Sequence, residues 1–312
     1  MTSPLVSVII PTYNRHDTVG RSIESVLLQT YRPMEVIVVD DGSTDSTLEV
    51  LEGYENAIRV VARANGGPSA ARNSGVSVAK GEIIAFLDSD DTWRPEKLTR
   101  QIKLLLDGGS GVPCCVCNSS LMDDAGSAQT SFGVSNVDCG LKEGYWMNPA
   151  PLVATRFILF NQVVAIRKSA FEKVGGFKEN MRLLEDHDLA FRLALLGPWA
   201  FVAEPLVEKY NDTEGVGVQA MRDPRRHSEA WSQVLAGFLR EELDDYPDVE
   251  RIVRRALMDV ATEIRAVDLI HSGHWLSSRT GKLLMFSLRA RGKIRRRLPS
   301  WPVVKAVRAF AP

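Results

Sequence analysis

Residues 81–93, GEIIAFLDSDDTW, constrain the fold more than any other stretch of this chain. Five apolar residues, Ile83-Ile84-Ala85-Phe86-Leu87, run without alternation into Asp88-Ser89-Asp90-Asp91. An unbroken apolar run of that length reads as a strand buried on both faces, as in a parallel sheet. Three carboxylates within four residues repel one another. At the end of a buried strand they require a cation, a hydrogen-bond web or open water. One outcome is a polar turn with an Asp as helix cap. The other is a hard-cation site, because carboxylate oxygens suit Mg2+ or Mn2+, ions often shared with a substrate's phosphates.

Earlier segments repeat the pattern. A short buried strand over 6–10 runs into Pro11-Thr12-Tyr13-Asn14, and Asp17 or Thr18 can cap a helix with Val19, Ile23, Val26 and Leu27 on one face. A second strand, 35–39, ends in Asp40-Asp41-Gly42-Ser43, and a weaker third covers 58–61. Asn65-Gly66-Gly67-Pro68 then opens a helix over 69–79, with Pro68 in the first turn, where a missing N–H costs nothing. Strands alternating with helices at this spacing imply βαβ units and a mostly parallel sheet. In open α/β sheets ligands lie beyond the carboxyl ends of the strands. Three polar strand ends therefore face one crevice. There Tyr13 offers a ring to a base, an Asp accepts from a base N–H or ribose hydroxyl, and Asp88–Asp91 hold a metal against a diphosphate.

Downstream, Pro95 opens an amphipathic helix (Leu98, Ile102, Leu105), a strand covers 112–121, and 127–155 reads as a long loop. A strand over 162–166 and a helix over 168–174 follow. Glu185-Asp186 begin another helix. Acids in a first turn favour the helix dipole, and a carboxylate there can equally face the crevice as a general base. Residues 201–210 supply strand material, and from about Pro224 the pattern is helical, over 230–243 and 249–270.

Charge is uneven. The 312 residues carry a formal net charge of −1, yet after Asp268 there are ten Lys/Arg and no acid, leaving 28 basic against 39 acidic residues before it. So acidic a body argues against nucleic acid. The tail, with Trp301, Val303, Val304, Val307 and Phe310, reads either as a solvated helix or as a foot on an anionic membrane surface. The four cysteines (114, 115, 117 and 139) form no disulfide framework, and Cys114/Cys117 lack the second ligand pair of a zinc site. Neither a signal peptide nor an 18-residue apolar run is evident, so a cytoplasmic protein is expected.

The motifs VSVIIPTYNR (6–15), EVIVVDDGSTDST (35–47), NGGPSAARNSG (65–75), GEIIAFLDSDDTW (81–93), KSAFEKVGGF (168–177) and LLEDHDLAFRL (183–193) resemble, in order, those of the inverting family 2 glycosyltransferases. The resemblance covers roughly 5–210. It implies a GT-A fold, an α/β Rossmann-like sheet flanked by helices, over 1–215, with 216–312 as a helical extension ending in the basic tail. It also implies a nucleotide site of Pro11, Thr12, Tyr13, Asn14, Asp40, Asp41, Asn65, Gly66, Gly67, Arg72, Asp88 and Ser89. Asp88 and Asp90 would hold Mn2+ or Mg2+, and Asp186 would be the base. The donor would be a UDP-sugar and the acceptor a glycan or lipid-linked hydroxyl, with the enzyme at the inner face of the cell membrane where the tail docks. No motif or membrane helix of the processive synthases is evident, which favours addition of one sugar. Two other readings compete. One is a DxDxT phosphatase with Asp88 as nucleophile, which leaves Tyr13 and Asp40 without work. The other is a non-catalytic sugar-nucleotide-binding protein. Gly215-Val-Gly217-Val-Gln-Ala220 imitates a dinucleotide fingerprint but follows polar residues instead of a strand.

Overall fold

A computed structural model describes residues 3–122, 128–155, 157, 159–181, 183–210, 223–241, 243–244 and 246–271. The basic tail and the Gly215–Gly217 segment lie outside the described residues.

The long apolar runs become the strands they suggest. β1 (Val6–Thr12) is buried along its whole length and pairs in parallel with β2 (Met34–Asp40) and β4 (Ile83–Phe86); β3 (Arg59–Ala62) pairs in parallel with β2 at the edge. The connections run through α1 (Val19–Leu27), α2 (Thr47–Glu52) and α3 (Pro68–Val78). A Cβ at Gly75 would stand 2.5 Å from Ile9 Cγ2, so a glycine there lets α3 lie close on β1. β5 (Thr92–Trp93) and α4 (Lys97–Asp107) lead to β6 (Cys114–Met122). Cys114, Cys115 and Cys117 are unpaired and buried in that strand, where burial pushes their thiols up.

Residues 127–155, expected as one long loop, carry four short elements: β7 (Ala128–Thr130), α5 (Ser131–Val134), β8 (Glu143–Trp146) and α6 (Ala150–Val153). Each is too short to show a period, and tertiary partners hold them. Asn118 Oδ1 accepts from Ser131 Oγ and Phe132 N, both at 3.0 Å. The Trp146 ring stacks on Phe201 with centroids 4.9 Å apart.

β9 (Val164–Arg167), α7 (Lys168–Lys173), α8 (Glu185–Ala194) and β10 (Trp199–Lys209) complete the sheet. Its order is β3-β2-β1-β4-β9-β6-β10-β5, with β7 on β6 and β8 on β10. The expected mostly parallel sheet is correct for β3-β2-β1-β4 and for β6–β10. Between the two blocks β9 runs antiparallel to both β4 and β6. The chain leaves β6 at its carboxyl end and re-enters through β9 beside it, and an antiparallel return needs no crossover to the far end of the sheet. The carboxyl ends of β1, β2, β4, β6 and β10 consequently share one edge, and the first turn of α8 comes to that edge too.

Two C-terminal helices, α9 (Pro224–Phe238) and α10 (Pro247–His271), pack on this body. α9 starts earlier than its apolar pattern suggests, because the Asp223 carboxylate accepts from Arg225 N and Arg226 N with Pro224 in the first turn. Phe238 stacks on Phe191 of α8 at 3.7 Å between centroids. Among the described residues no helix is long and apolar enough to cross a membrane.

Candidate active site

The crevice is assembled from strand ends. Pro11 and Thr12 close β1 and are buried, and Thr12 Oγ1 has no hydrogen-bond partner among the described residues. Tyr13, next along, is 45 % exposed, so its ring is available to a planar ligand. Asn14 sits in the left-handed region at φ 51° and stitches two loops together: Thr44 N donates to its Oδ1 at 2.8 Å, and its own N–H donates to Ser43 Oγ at 3.0 Å. Asp40, buried at the end of β2, accepts from Ser43 N.

Asp41 points elsewhere. Its carboxylate accepts from Gly66 N at 3.1 Å and Gly67 N at 2.7 Å and pairs with Arg63 Nε at 3.3 Å. Asp41 thus shapes the Asn65-Gly66-Gly67 loop, and the loop's exposed backbone is what meets the crevice. Gly67, at φ 88°, delivers that loop into α3.

Asp88, Asp90 and Asp91 bring one carboxylate oxygen each within 4.8 Å of one another. They are not equivalent. Asp91 is fully buried, accepting from Gln162 Nε2 and Tyr210 N (3.0 Å) and pairing with Lys209 Nζ at 3.1 Å. Burial, opposed by Lys209 and reinforced by Asp88 and Asp90, pushes its carboxyl up to about 7. Asp88 and Asp90 remain partly exposed. Burial penalises the Asp88 anion, yet Arg72, Lys209 and Arg15 outweigh it and hold its carboxyl below the ordinary range. Ser89 is buried between them. Asp88 and Asp90, with Asp91 braced behind, fit a hard divalent cation, which takes carboxylate oxygens and completes its shell with phosphate and water.

Arg72 does not simply line the crevice. Buried on α3, it spans the site, with Nη2 2.7 Å from Asp88 Oδ1 and Nη1 3.0 Å from Glu185 Oε1. The cation end of β4 and the first turn of α8 are therefore one guanidinium apart. Burial and the adjacent Asp186 raise the Glu185 carboxyl against the pull of Arg72. Leu184, left-handed at φ 61°, turns the chain into α8; such strained backbone concentrates at working sites. Asp186 Oδ1 accepts from His187 N at 2.8 Å and lies 3.2 Å from His187 Nδ1. No hydrogen bond reaches Oδ2 from the described residues. Asp186 also lines a small cavity with Leu159, Asn161, Leu189 and Trp199.

Several participants were not singled out in the sequence. Lys209 ends β10 in the same crevice, so the strand-end rule that found Asp40 and Asp88 could have found it. Arg15 lies 3.9 Å from Asp90, and Arg21 donates to the Asp90 carbonyl while covering the Tyr210 ring at 4.2 Å. Gln162 and Tyr210 carry no motif of their own, and His187 lies within the 183–193 motif without having been singled out.

The α/β sheet thus brings an aromatic residue, acidic strand ends and a carboxylate cluster to one edge. Residues 7–169 match the family described as Glycosyl transferase family 2, and the chain belongs to that family. The chain is 42% identical over 104 residues to UDP-Glc:alpha-D-GlcNAc-diphosphoundecaprenol beta-1,3-glucosyltransferase WfaP of Escherichia coli, across 32% of this chain and 41% of that protein. It is 29% identical over 241 residues to an uncharacterized glycosyltransferase of Rickettsia prowazekii, across 77% and 74% of the two chains. The structure of mannosyltransferase PcManGT from Pyrobaculum calidifontis, in complex with GDP-Man and Mn2+, superposes with a TM-score of 0.62 at 19% identity, covering 98% of this chain and 87% of that one. The fold is accordingly GT-A. Family membership sets aside the phosphatase reading of Asp88.

Proposed function

We propose that this protein transfers a single sugar, with inversion, from a UDP-sugar to an acceptor hydroxyl in the synthesis of a cell-surface polysaccharide or glycolipid. The observation that supports the reading is Arg72 bridging Asp88 and Glu185, the residue before the candidate base. Tyr13 stacks on the nucleoside base and Asp40 orients it. The Asn65-Gly66-Gly67 backbone, held by Asp41, follows the diphosphate. Asp88 and Asp90 hold Mn2+ or Mg2+, which supplies positive charge where the leaving diphosphate gains negative charge. Arg15 and Lys209 add fixed charge of the same sign. Asp186 Oδ2 takes the proton of the acceptor hydroxyl as its oxygen attacks the anomeric carbon from the face opposite the departing UDP. The aspartates of both halves argue against a binding-only protein. The mannosyltransferase neighbour with Mn2+ supports the metal, and the Escherichia coli relative, whose name specifies a UDP-sugar and a diphosphoundecaprenol-linked sugar, supports donor and acceptor classes. On this reading the catalytic domain spans 1–215, and 216–312 form its helical extension.

Thermal shift with a panel of UDP-, GDP- and dTDP-sugars and Mn2+ tests the donor. A ligand that binds only the folded state raises Tm, so UDP-sugars should give the largest rise. A larger rise with GDP-sugars would overturn the choice of nucleotide, and none with any would overturn the function.

A lipid-linked acceptor calls for an enzyme at the membrane. The ten basic residues after Asp268 suit an anionic leaflet, where each cation near the surface contributes about 1 kcal/mol. Full-length protein is expected to sediment with anionic but not neutral vesicles, less so in high salt, and a chain ending near Gly281 is expected to stay in solution. Equal sedimentation of the two would assign the tail another role.

A further inference from the structure

The candidate base has a partner that the transfer chemistry above leaves without work. His187 is buried between Asp186 and the segment before β9. Its Nε2 lies 2.5 Å from Phe157 O, and its Nδ1 lies 3.2 Å from Asp186 Oδ1. A carbonyl oxygen only accepts, so Nε2 carries a hydrogen. A neutral ring would then aim the Nδ1 lone pair at a carboxylate oxygen, an arrangement that repels. One proton between Nδ1 and Oδ1 removes the conflict. The Trp231 ring of α9 stands edge-on to the imidazole, with centroids 5.1 Å apart at 88°. Trp231 is itself buried, so the C-terminal helices reach the base through one ring.

We infer that His187 is the positioning residue of the base. As an imidazolium it clamps Asp186 Oδ1, leaves Oδ2 to the acceptor hydroxyl, and is held in place by Trp231 of the C-terminal helical pair. The inference rests on the reading of Asp186 as base. Among the described residues the charged groups facing the ring are Asp186 and Glu185 of its own helix; the segment before β9 offers the Phe157 carbonyl and α9 an uncharged indole. Burial disfavours the ring cation, but the hydrogen bond and charge of Asp186, with the Phe157 carbonyl and Glu185, outweigh it and raise the His187 pKa. The clamp is therefore closed below that raised value and opens as pH rises through it.

Two measurements test this on the full-length chain. In a 15N-histidine spectrum at pH 7, with His187 assigned by its loss in His187→Asn, the ring should be protonated on both nitrogens and should become neutral in Asp186→Asn. A neutral His187 ring in the wild type overturns the inference. Turnover of UDP-glucose, with water as acceptor, supplies the second readout. His187→Phe should lower turnover about 10–100-fold, the scale of a misplaced catalytic group, with KM within about twofold. His187→Asn keeps a neutral donor beside Asp186. It should recover part of that loss while removing the alkaline fall in turnover that opening of the clamp produces. Trp231→Leu should lower turnover in the same sense. Should His187→Phe fail to fold, the His187→Asn profile decides: an alkaline limb unchanged from wild type overturns the clamp. If Asp186→Asn retains turnover while the ring is doubly protonated in the wild type, the base assignment fails and the pairing stands. If Asp186→Asn is inactive and the His187 variants match wild type, only the clamp fails.

Discussion

Asp186→Asn is expected to bind UDP and Mn2+ as the wild type does and to lose transfer by about two to four orders of magnitude, the scale of a general base. The side chain is nearly isosteric, and its backbone position in the first turn of α8 does not depend on the charge. What disappears is the proton acceptor at Oδ2. Glu185→Gln should cost far less in transfer, because Glu185 Oε1 is already engaged by Arg72 at 3.0 Å and serves to position it. Single-turnover transfer with each variant, alongside calorimetric UDP titration, separates the two residues. If Glu185→Gln proves the more damaging, the base is Glu185 and the roles along the helix shift by one residue.

The second large effect is expected at the other side of the crevice. Asp90→Asn should weaken UDP binding in Mn2+ by roughly two orders of magnitude, the upper end of what even outer-sphere changes at metal sites cost. In EDTA the mutant and wild type should bind UDP alike. Asp91→Asn should behave differently. Asp91 is wholly buried among Gln162, Lys209 and Tyr210, so the substitution removes its ion pair with Lys209 and an acceptor for Gln162 or Tyr210, and lowers Tm before it touches the metal dependence. Calorimetry in Mn2+ and in EDTA decides. Equal UDP affinity in both buffers and in Asp90→Asn would remove the metal from the account.

The strand ends that meet at the crevice were legible because each of their signals is local. Unbroken apolar runs ended in polar residues at 10–14, 40–43 and 88–91, and the rule that ligands gather beyond strand ends needed nothing more. Chemistry that depends on long-range pairing was not legible. Nothing near Asp41 says that its carboxylate holds Gly66 and Gly67 backbone groups, and nothing near Arg72 says that it reaches Glu185, more than a hundred residues away. Asp91 carries the same side chain as Asp88 and Asp90, and only burial sets it apart. Short elements such as β8 and α6 showed no period, since four residues cover about one turn of helix. The antiparallel sense of β9 depends on where a long connection returns, which composition does not encode.

That return has an evolutionary consequence. β6 and β9 pair over Cys114–Val116 and Val164–Ile166, so the connection leaves β6 beyond the paired residues and returns alongside the same strand. Lengthening such an excursion costs only loop-closure entropy, about 0.6 kcal/mol for each doubling, and disturbs no register in β3-β2-β1-β4. Within this scaffold the surface beside the first turn of α8 can be rebuilt by insertion or deletion. The strands β3-β2-β1-β4, locked in parallel register, change by single substitutions.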